Sequence, residues 1–168
     1  DIYGEAENDL SGYSVDINHT GDIIAIGSIY NDGDNSNSDF DCGNVRVYQY
    51  KTVTETEFNA GNTSNFVQIY NETSIIVTNG TSWDSNTKYW VQLGYDINGE
   101  SQKWIRYGSS GVSISLSENG NILAIGSPAP DSNTQGQTRV YEYKTVTLPE
   151  FNAGNTTNFN DSTGIPII

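Results

Sequence analysis

Two stretches of this chain share one pattern, and that internal repeat constrains the fold more than any other feature. In each stretch an apolar run that ends in glycine is followed by a polar loop and then by a run in which tyrosine recurs. The stretches are residues 21–51 and residues 120–144. A repeated unit must resemble its twin and bury its apolar face against a neighbour, so the sequence predicts two similar, stacked units.

Shorter matches place the boundary between the units after residue 95. Residues 1–5 read DIYGE and residues 96–100 read DINGE, and a Ser-Gly pair follows each segment. We therefore divide the chain into a first unit, residues 1–95, and a second unit, residues 96–168. Differences in length between the units fall in loops, as they do in stacked repeats.

The first unit contains four predicted strands. Tyr13, Val15 and Ile17 alternate with polar neighbours, which indicates a strand with one buried face. Residues 23–26 are apolar on both faces and predict an inner strand. The third and fourth strands are predicted over residues 45–53 and 89–97.

The unmatched insert in the first unit, residues 54–88, is too long for an unstructured loop, so we interpret it as an extra hairpin. No apolar pattern with a period of 3.6 runs for ten residues, and no helix is predicted. The expected fold is therefore all-β. It consists of two antiparallel four-stranded meanders, and the second lacks its last strand because its sequence stops at Ile168.

Charge limits the classes of partner. The chain has 21 acidic and 7 basic side chains and a net charge of -14, which disfavours nucleic acids and anionic membranes. Cations or basic surfaces are the complementary partners, although the carboxylates can also serve only to keep an extracellular protein soluble. No apolar run approaches the roughly 20 residues that cross a bilayer, so membrane insertion is not expected.

The chain begins at Asp1 and contains no methionine, so we interpret it as a processed piece whose signal peptide has been removed. Its single cysteine, Cys42, excludes an internal disulfide. Two alternatives remain for this residue, a thiol covered by its own loop and a bridge between chains.

Asn-x-Ser/Thr triplets mark candidate N-glycosylation sites, which would lie on surface loops of a secreted protein. The candidates are Asn18, Asn62, Asn71, Asn79, Asn155 and Asn160. An Asn-rich chain yields several such triplets by chance. Asn62 and Asn155 carry more weight because they occupy the same place in FNAGNTSNF and FNAGNTTNF.

The motifs of the two units, taken in order, resemble a known family. They include the Trp-x-Gln-x-Gly run at residues 90–94, the Asp-Ile-x-Gly-Glu and Ser-Gly-x-Ser segments, the Ala-Ile-Gly-Ser runs at residues 25–28 and 124–127, and the Arg-Val-Tyr runs at residues 46–48 and 139–141. This order is similar to that of FG-GAP-type repeats, the integrin-α-like β-propeller blades of secreted proteins from aquatic microbes. The resemblance implies blade-shaped units and an extracellular or cell-surface location, whereas such blades serve many functions.

The chain departs from that family in blade number. Propellers close with about four to eight blades, and fewer than two are present here. A missing fourth strand leaves a sheet edge whose backbone groups are a template for another strand. The expected donor is the N-terminal segment, which matches the residues that follow a Trp-x-Gln-x-Gly strand. It comprises Asp1, Ile2, Tyr3, Gly4 and Glu5.

The calcium loop is the second feature in which the chain departs from that family. Residues 16–22 keep only a remnant of the carboxylate loop of integrin-like blades. A better candidate is the first polar loop, where hard oxygen ligands for Ca²⁺ crowd together. They are Asp32, Asp34, Asp39 and Asp41. A solvated acidic loop that binds no metal is the alternative, and no other cofactor is expected.

Groups for catalysis are few. His19, the only histidine, falls in a turn with no nucleophile pattern nearby. Two hypotheses follow. The first is a non-enzymatic extracellular structural or adhesive protein that self-associates through open sheet edges into a fibre, array or surface coat. The second is part of a closed propeller that binds a glycan or a protein, with Trp83, Trp90 and Trp104 available as a sugar platform if they are exposed.

Overall fold

The computed structural model describes residues 1–32, 42–61, 76–77, 82–94, 96–99, 110–129 and 135–144. Those residues form nine strands and one short helix, and every strand pair is antiparallel. The elements are β1 (Ser11–Ile17), β2 (Ile23–Ser28), β3 (Asn44–Thr52), α1 (Glu55–Gly61), β4 (Ile76–Val77), β5 (Lys88–Gln92), β6 (Ile97–Asn98), β7 (Ser113–Leu116), β8 (Ile122–Ser127) and β9 (Gln137–Glu142). The all-β prediction is confirmed.

The strands form two sheets with the same internal register. The first sheet has the order β1-β2-β3-β5-β4, with β6 also paired to β3, and the second has the order β7-β8-β9. Ile24 lies opposite Tyr48 in the first sheet, and Leu123 lies opposite Tyr141 in the second. The duplication seen in the sequence is therefore also a duplication of strand pairing.

Register also separates the two faces of each sheet, because directly opposed residues point to the same side. We define the front face as the side that carries Val15, Ile17, Ile24 and Ile26 in the first sheet and their counterparts Ile114, Leu116, Leu123 and Ile125 in the second. The back face carries Ile23, Ala25, Val45 and Val47 in the first sheet and Ile122, Ala124, Thr138 and Val140 in the second.

The main core lies between the sheets. Ile23, Ala25, Val45 and Val47 on the back face of the first sheet pack with Leu93, Ile97, Leu123 and Ile125, and Ile114, Leu116 and Tyr141 border this cluster. Thus the front face of the second sheet covers the back face of the first. A smaller cluster of Val53, Phe58, Tyr89 and Val91 lies under Trp83.

Three predictions about local structure are wrong. Tyr13, Val15 and Ile17 were expected on a buried face, but each is at least half exposed, because β1 turns Ser14 and Asp16 toward the second sheet. The fourth strand is not continuous over residues 89–97. It breaks at Gly94, whose φ of 69° leaves the strand conformation, and both parts pair with β3.

The third error is the short helix α1, which begins just after Thr54. Glu57 N donates to Thr54 Oγ1 at 3.2 Å, and Thr54 N donates to the Glu57 carboxylate at 2.7 Å. This reciprocal capping box stabilises the first turn. The hydrogen bonds that the Thr54 backbone N and hydroxyl donate to the Glu57 carboxylate lower the pKa of Glu57. Of the predicted hairpin, Ile76–Val77 is a strand that pairs with β5, and residues 62–75 lie outside the described part.

Because the sheets approach closely at Gly27, we expect alanine substitution to change the free energy of unfolding more at Gly27 than at its counterpart Gly126. A Cβ on Gly27 would overlap the backbone oxygen of Gly111 and the hydroxyl of Ser14. The three atoms nearest a Cβ on Gly126 all belong to Ser113, and of these just the mobile hydroxyl overlaps. We expect Gly27→Ala to lower the free energy of unfolding by about 1–3 kcal/mol, as overpacking does.

Gly126→Ala is the matched control and should change the free energy of unfolding by less than about 1 kcal/mol. Urea denaturation of both variants measures the difference. Equal losses would contradict the front-to-back packing of the two sheets.

Candidate functional site

The junction between the two units is a shared strand. β6 belongs by sequence to the second unit, yet Asn98 lies opposite Asn44 and Ile97 opposite Val45 on β3 of the first sheet. Gly99 N also donates to the Gly43 carbonyl at 2.8 Å. The DINGE segment therefore adds a strand to the sheet of the preceding unit, beside the end of its third strand.

Direct hydrogen bonds reinforce the packing of the sheets. Ser14 Oγ donates to the Gly111 carbonyl, and Leu116 N donates to the Asp16 carboxylate, each at 2.5 Å. In addition, His19 N donates to the Glu118 carbonyl at 3.0 Å. The polar side chains of β1 thus face the second unit, which explains why its apolar side chains face outward.

The N-terminal segment is anchored to the front face of the first sheet by Arg46. This arginine is 1% exposed. Its Nη2 donates to the Tyr3 carbonyl at 3.3 Å, and its Nη1 lies 3.9 Å from Glu5 Oε1. Because a buried guanidinium needs charged or polar partners, the segment carrying Glu5 is held close to the sheet while the Tyr3 ring remains 67% exposed.

The sequence contained a signal for this anchor that our reasoning did not use. An arginine occurs at the same place within the apolar third strand of both units, and a Ser-Gly pair recurs before each first strand. In the structure Arg46 Nη2 lies 3.5 Å from Ser11 Oγ, and Arg139 Nη2 lies 2.9 Å from Ser110 Oγ. A charged residue repeated at the same position of the third strand indicates a repeated polar partner.

Asp96 is the most perturbed carboxyl of this region. It is 8% exposed, and it accepts hydrogen bonds from Gln92 Nε2 at 2.7 Å and from Asn44 Nδ2 at 3.2 Å. Burial, followed by the negative charge of Glu5, raises the pKa of Asp96 to about 7, although Arg46 opposes the shift. A carboxyl with such a pKa can exchange a proton near neutral pH, and its hydrogen bonds connect the residue before β6 to side chains of β3 and β5.

Asp96 should make the stability of the protein depend on pH. Its pKa is about 7 in the folded state and near 3.8 when the chain is unfolded, so the folded state binds more protons between these values. The free energy of unfolding should therefore fall as pH rises from about 4 to about 7. Asp96→Asn removes this ionisation and should flatten the profile over that range.

Urea denaturation at pH 5 and pH 8 measures the effect, and the difference between the wild-type protein and the variant isolates Asp96 from other titrating groups. The same slope in both proteins would show that Asp96 does not ionise with a raised pKa.

The predicted calcium site lies mostly outside the described residues. Asp32 is half-buried, whereas Asp34, Asp39 and Asp41 fall within residues 33–41, which the structure does not describe. Among the described residues, no group of three or more His, Cys, Asp or Glu side chains is placed to hold a metal ion. The calcium site therefore stays a prediction.

The turn after β1 is closed by its own side chains. Asn18 Oδ1 accepts from the backbone of Asp22 at 3.1 Å and of Ile23 at 3.0 Å, and Asn18 Nδ2 donates to Thr20 and Asp22. Contacts with Thr20 and Asn18 lower the pKa of Asp22. In the second unit Asn119 Oδ1 accepts from Asn121 N at 3.0 Å, so side-chain closure is a repeated feature.

These contacts correct the expectation of a glycan on Asn18. The residue is 5% exposed, and its amide nitrogen donates two hydrogen bonds inside the turn. A glycan on that nitrogen is incompatible with this turn geometry. The other candidate sites, Asn62, Asn71, Asn79, Asn155 and Asn160, lie outside the described residues.

The remaining candidates are placed as follows. His19 is exposed in its turn. Cys42 is buried, and its thiol lies 3.6 Å from the Asn31 carbonyl oxygen, as expected of a thiol covered by its loop. Trp83 Nε1 donates to the Val53 carbonyl at 3.0 Å over the smaller core, which opposes a role in a sugar platform. Trp90 packs against Tyr50 with the two rings tilted by 37° and their centroids 5.1 Å apart, and Trp104 is outside the described residues.

No family model matches the chain, and no curated protein or solved structure matches it either. The resemblance to FG-GAP-type repeats therefore stays a prediction. In the part of the chain that the structure describes, no helix is long and apolar enough to cross a membrane.

Proposed function

We propose that this chain is a non-enzymatic, extracellular structural or adhesive repeat protein whose copies associate by strand addition. The N-terminal segment, Asp1, Ile2, Tyr3, Gly4 and Glu5, would be donated by one copy to the edge of β9 in the next, an edge with which no other described strand pairs. The observation that carries this proposal is the pairing of β6 with β3. The chain already uses a DINGE segment to complete the sheet of the preceding unit, and DIYGE is its counterpart.

The repeat specifies the register of this contact. Asn98 lies opposite Asn44 within the chain, and the counterparts of these residues are Tyr3 and Gln137. By the same equivalence Ile2 would lie opposite Thr138. Both Gln137 and Thr138 are exposed, whereas Asn44 and Val45, which β6 covers, are fully buried.

Strand addition of this kind joins two different surfaces. Each copy therefore has one donor strand, its N-terminal segment, and one acceptor edge, that of β9. Repetition without closure produces a filament, and closure produces a ring. The proposed extracellular location follows from the resemblance to secreted repeats, and the net charge of -14 suits cations or basic surfaces as further partners. Carboxylates of the first polar loop would then bind Ca²⁺ as an accessory ion.

A closed propeller that binds a glycan or protein is the second candidate. The front-to-back stacking of the two sheets supports it, because the same stacking repeated in a circle yields a ring of blades. Particle size distinguishes the two candidates. A ring gives one discrete size that does not grow with protein concentration, whereas a filament lengthens.

Strand addition predicts a specific disulfide between copies. Opposed residues in antiparallel strands lie about 4.5–5.5 Å apart, within reach of a disulfide. On a Cys42→Ser background, a protein with Tyr3→Cys mixed with one carrying Gln137→Cys should form a covalent heterodimer under mild oxidation. Mass spectrometry of the non-reduced peptides identifies the bond.

The matched control mixes the Tyr3→Cys protein with a protein that carries Glu142→Cys instead of Gln137→Cys. Glu142 is also exposed on β9 but lies five residues away from the position expected to face Tyr3. It should give only the background of random cross-links. Equal cross-linking of the two positions, or none at either, would contradict strand addition at β9.

A further inference from the structure

Equivalent residues of the two sheets differ sharply in exposure. Ile23 is 7% exposed and its counterpart Ile122 is 45% exposed, while Val47 is 2% exposed and Val140 is 66% exposed. In the first sheet these residues lie under the front face of the second sheet. The back face of the second sheet therefore keeps the apolar character of a packed surface although no described sheet covers it.

The front face of the first sheet shows the complementary difference. Val15 is 53% exposed and Ile17 is 50% exposed, whereas their counterparts Ile114 and Leu116 pack against the main core. The molecule thus presents an apolar front strand on one side and an apolar back face on the other. The back face corresponds to one half of the interface inside the chain, and β1 corresponds to the β7 part of the other half, whereas Ile26 and Tyr48 on the same front face are already buried within one chain.

Hydrogen-bonding groups and backbone shape are duplicated as well. Ser113 occupies the position of Ser14, whose hydroxyl binds the Gly111 carbonyl, and Gly12 occupies the position of Gly111. Ser113 and Gly12 are both exposed. Gly12 and Gly111 have φ values of 88° and 82°, so the backbone conformation that makes the close approach is already present in the first unit.

The space needed for such an approach is open. A Cβ at Gly111 would contact Asn44 and Val45, and one at Gly120 would contact Ile23, because the back face of the first sheet lies against these glycines. Among the described residues, nothing lies within 4 Å of a Cβ at Gly12 or at Gly21, the counterpart of Gly120. A second back face can therefore be seated at Gly12 and Gly21 without moving the backbone.

From these equivalences we infer that a second copy of this chain docks its front strand, around Val15 and Ile17, on the back face around Ile122 and Val140. The interface repeats the packing that joins the two sheets within one chain. The inference rests on the proposed self-association and identifies the sheet faces, in addition to the edge of β9, as the contact between copies. We identify the partner of the back face as a second copy because the front face of that copy supplies three matching features at once. They are the apolar residues Val15 and Ile17, the Gly12 carbonyl as an acceptor for Ser113, and a glycine backbone that allows close approach.

Two surface variants test the inference. Val15→Asp places a charge on the front strand and leaves the back face of the second sheet intact, and Val140→Asp does the opposite. Both positions are more than half exposed, so each variant should fold, which circular dichroism and the melting temperature verify. Ser85→Asp, in the exposed turn before β5, adds the same charge away from both faces and is the control.

Sedimentation velocity over a range of protein concentrations, at one fixed ionic strength, gives the assembly state. We expect the wild-type protein and Ser85→Asp to form oligomers and each Val variant alone to remain monomeric. An equimolar mixture of the two Val variants should form a 1:1 dimer that does not extend, since one partner supplies an intact front strand and the other an intact back face.

The outcomes that contradict self-association differ from those that contradict docking through the sheet faces. Wild-type protein that stays monomeric at every concentration refutes the proposed self-association itself. Assembly of wild type and both Val variants to the same extent leaves self-association standing and refutes the sheet faces as the interface. Monomeric variants whose mixture is also monomeric, or loss of assembly in Val15→Asp alone, refute front-to-back docking.

Discussion

The packing of one sheet's back face against the next sheet's front face is the contact on which the rest of this structure depends. Neither sheet can bury both faces by itself, and the main core draws its residues from both. The polar orientation of Ser14 and Asp16, the close approach of Gly111 to Gly27 and the pairing of β6 with β3 all serve that contact. Since the interface joins two different surfaces, the back face of the second sheet and the front face of the first lie outside it.

Buried charged groups determine where the N-terminal segment lies. Arg46 lies in the sheet at 1% exposure, and it holds the N-terminal segment through the Tyr3 carbonyl and Glu5. Burial, followed by the negative charge of Glu5, raises the pKa of Asp96, and the nearby Arg46 offsets only part of this shift. The contacts of Arg46 hold Tyr3 and Glu5 against the front face of the first sheet.

Sequence reasoning recovered the features that a repeat makes visible twice. The inner strand at residues 23–26 and the third strand are confirmed by strand pairing, and β2 pairs with β3 in the same register as β8 with β9. Alternation in β1 predicted the wrong buried face, because periodicity identifies two faces but not which of them meets a neighbour. The short helix was missed although Thr54 and Glu57 have capping-box spacing, and the positions of the sheet faces depend on tertiary packing that no local pattern encodes.

The most direct test of the account compares one substitution at two equivalent positions, Val47→Ala and Val140→Ala, in urea denaturation at protein concentrations low enough to keep copies apart. Val47 is 2% exposed between the sheets and Val140 is 66% exposed on the back face of the second sheet. The account predicts a loss of about 2 kcal/mol at Val47, from lost burial and a cavity, and less than about 0.5 kcal/mol at Val140. Equal losses at the two positions would contradict the stacking of the sheets.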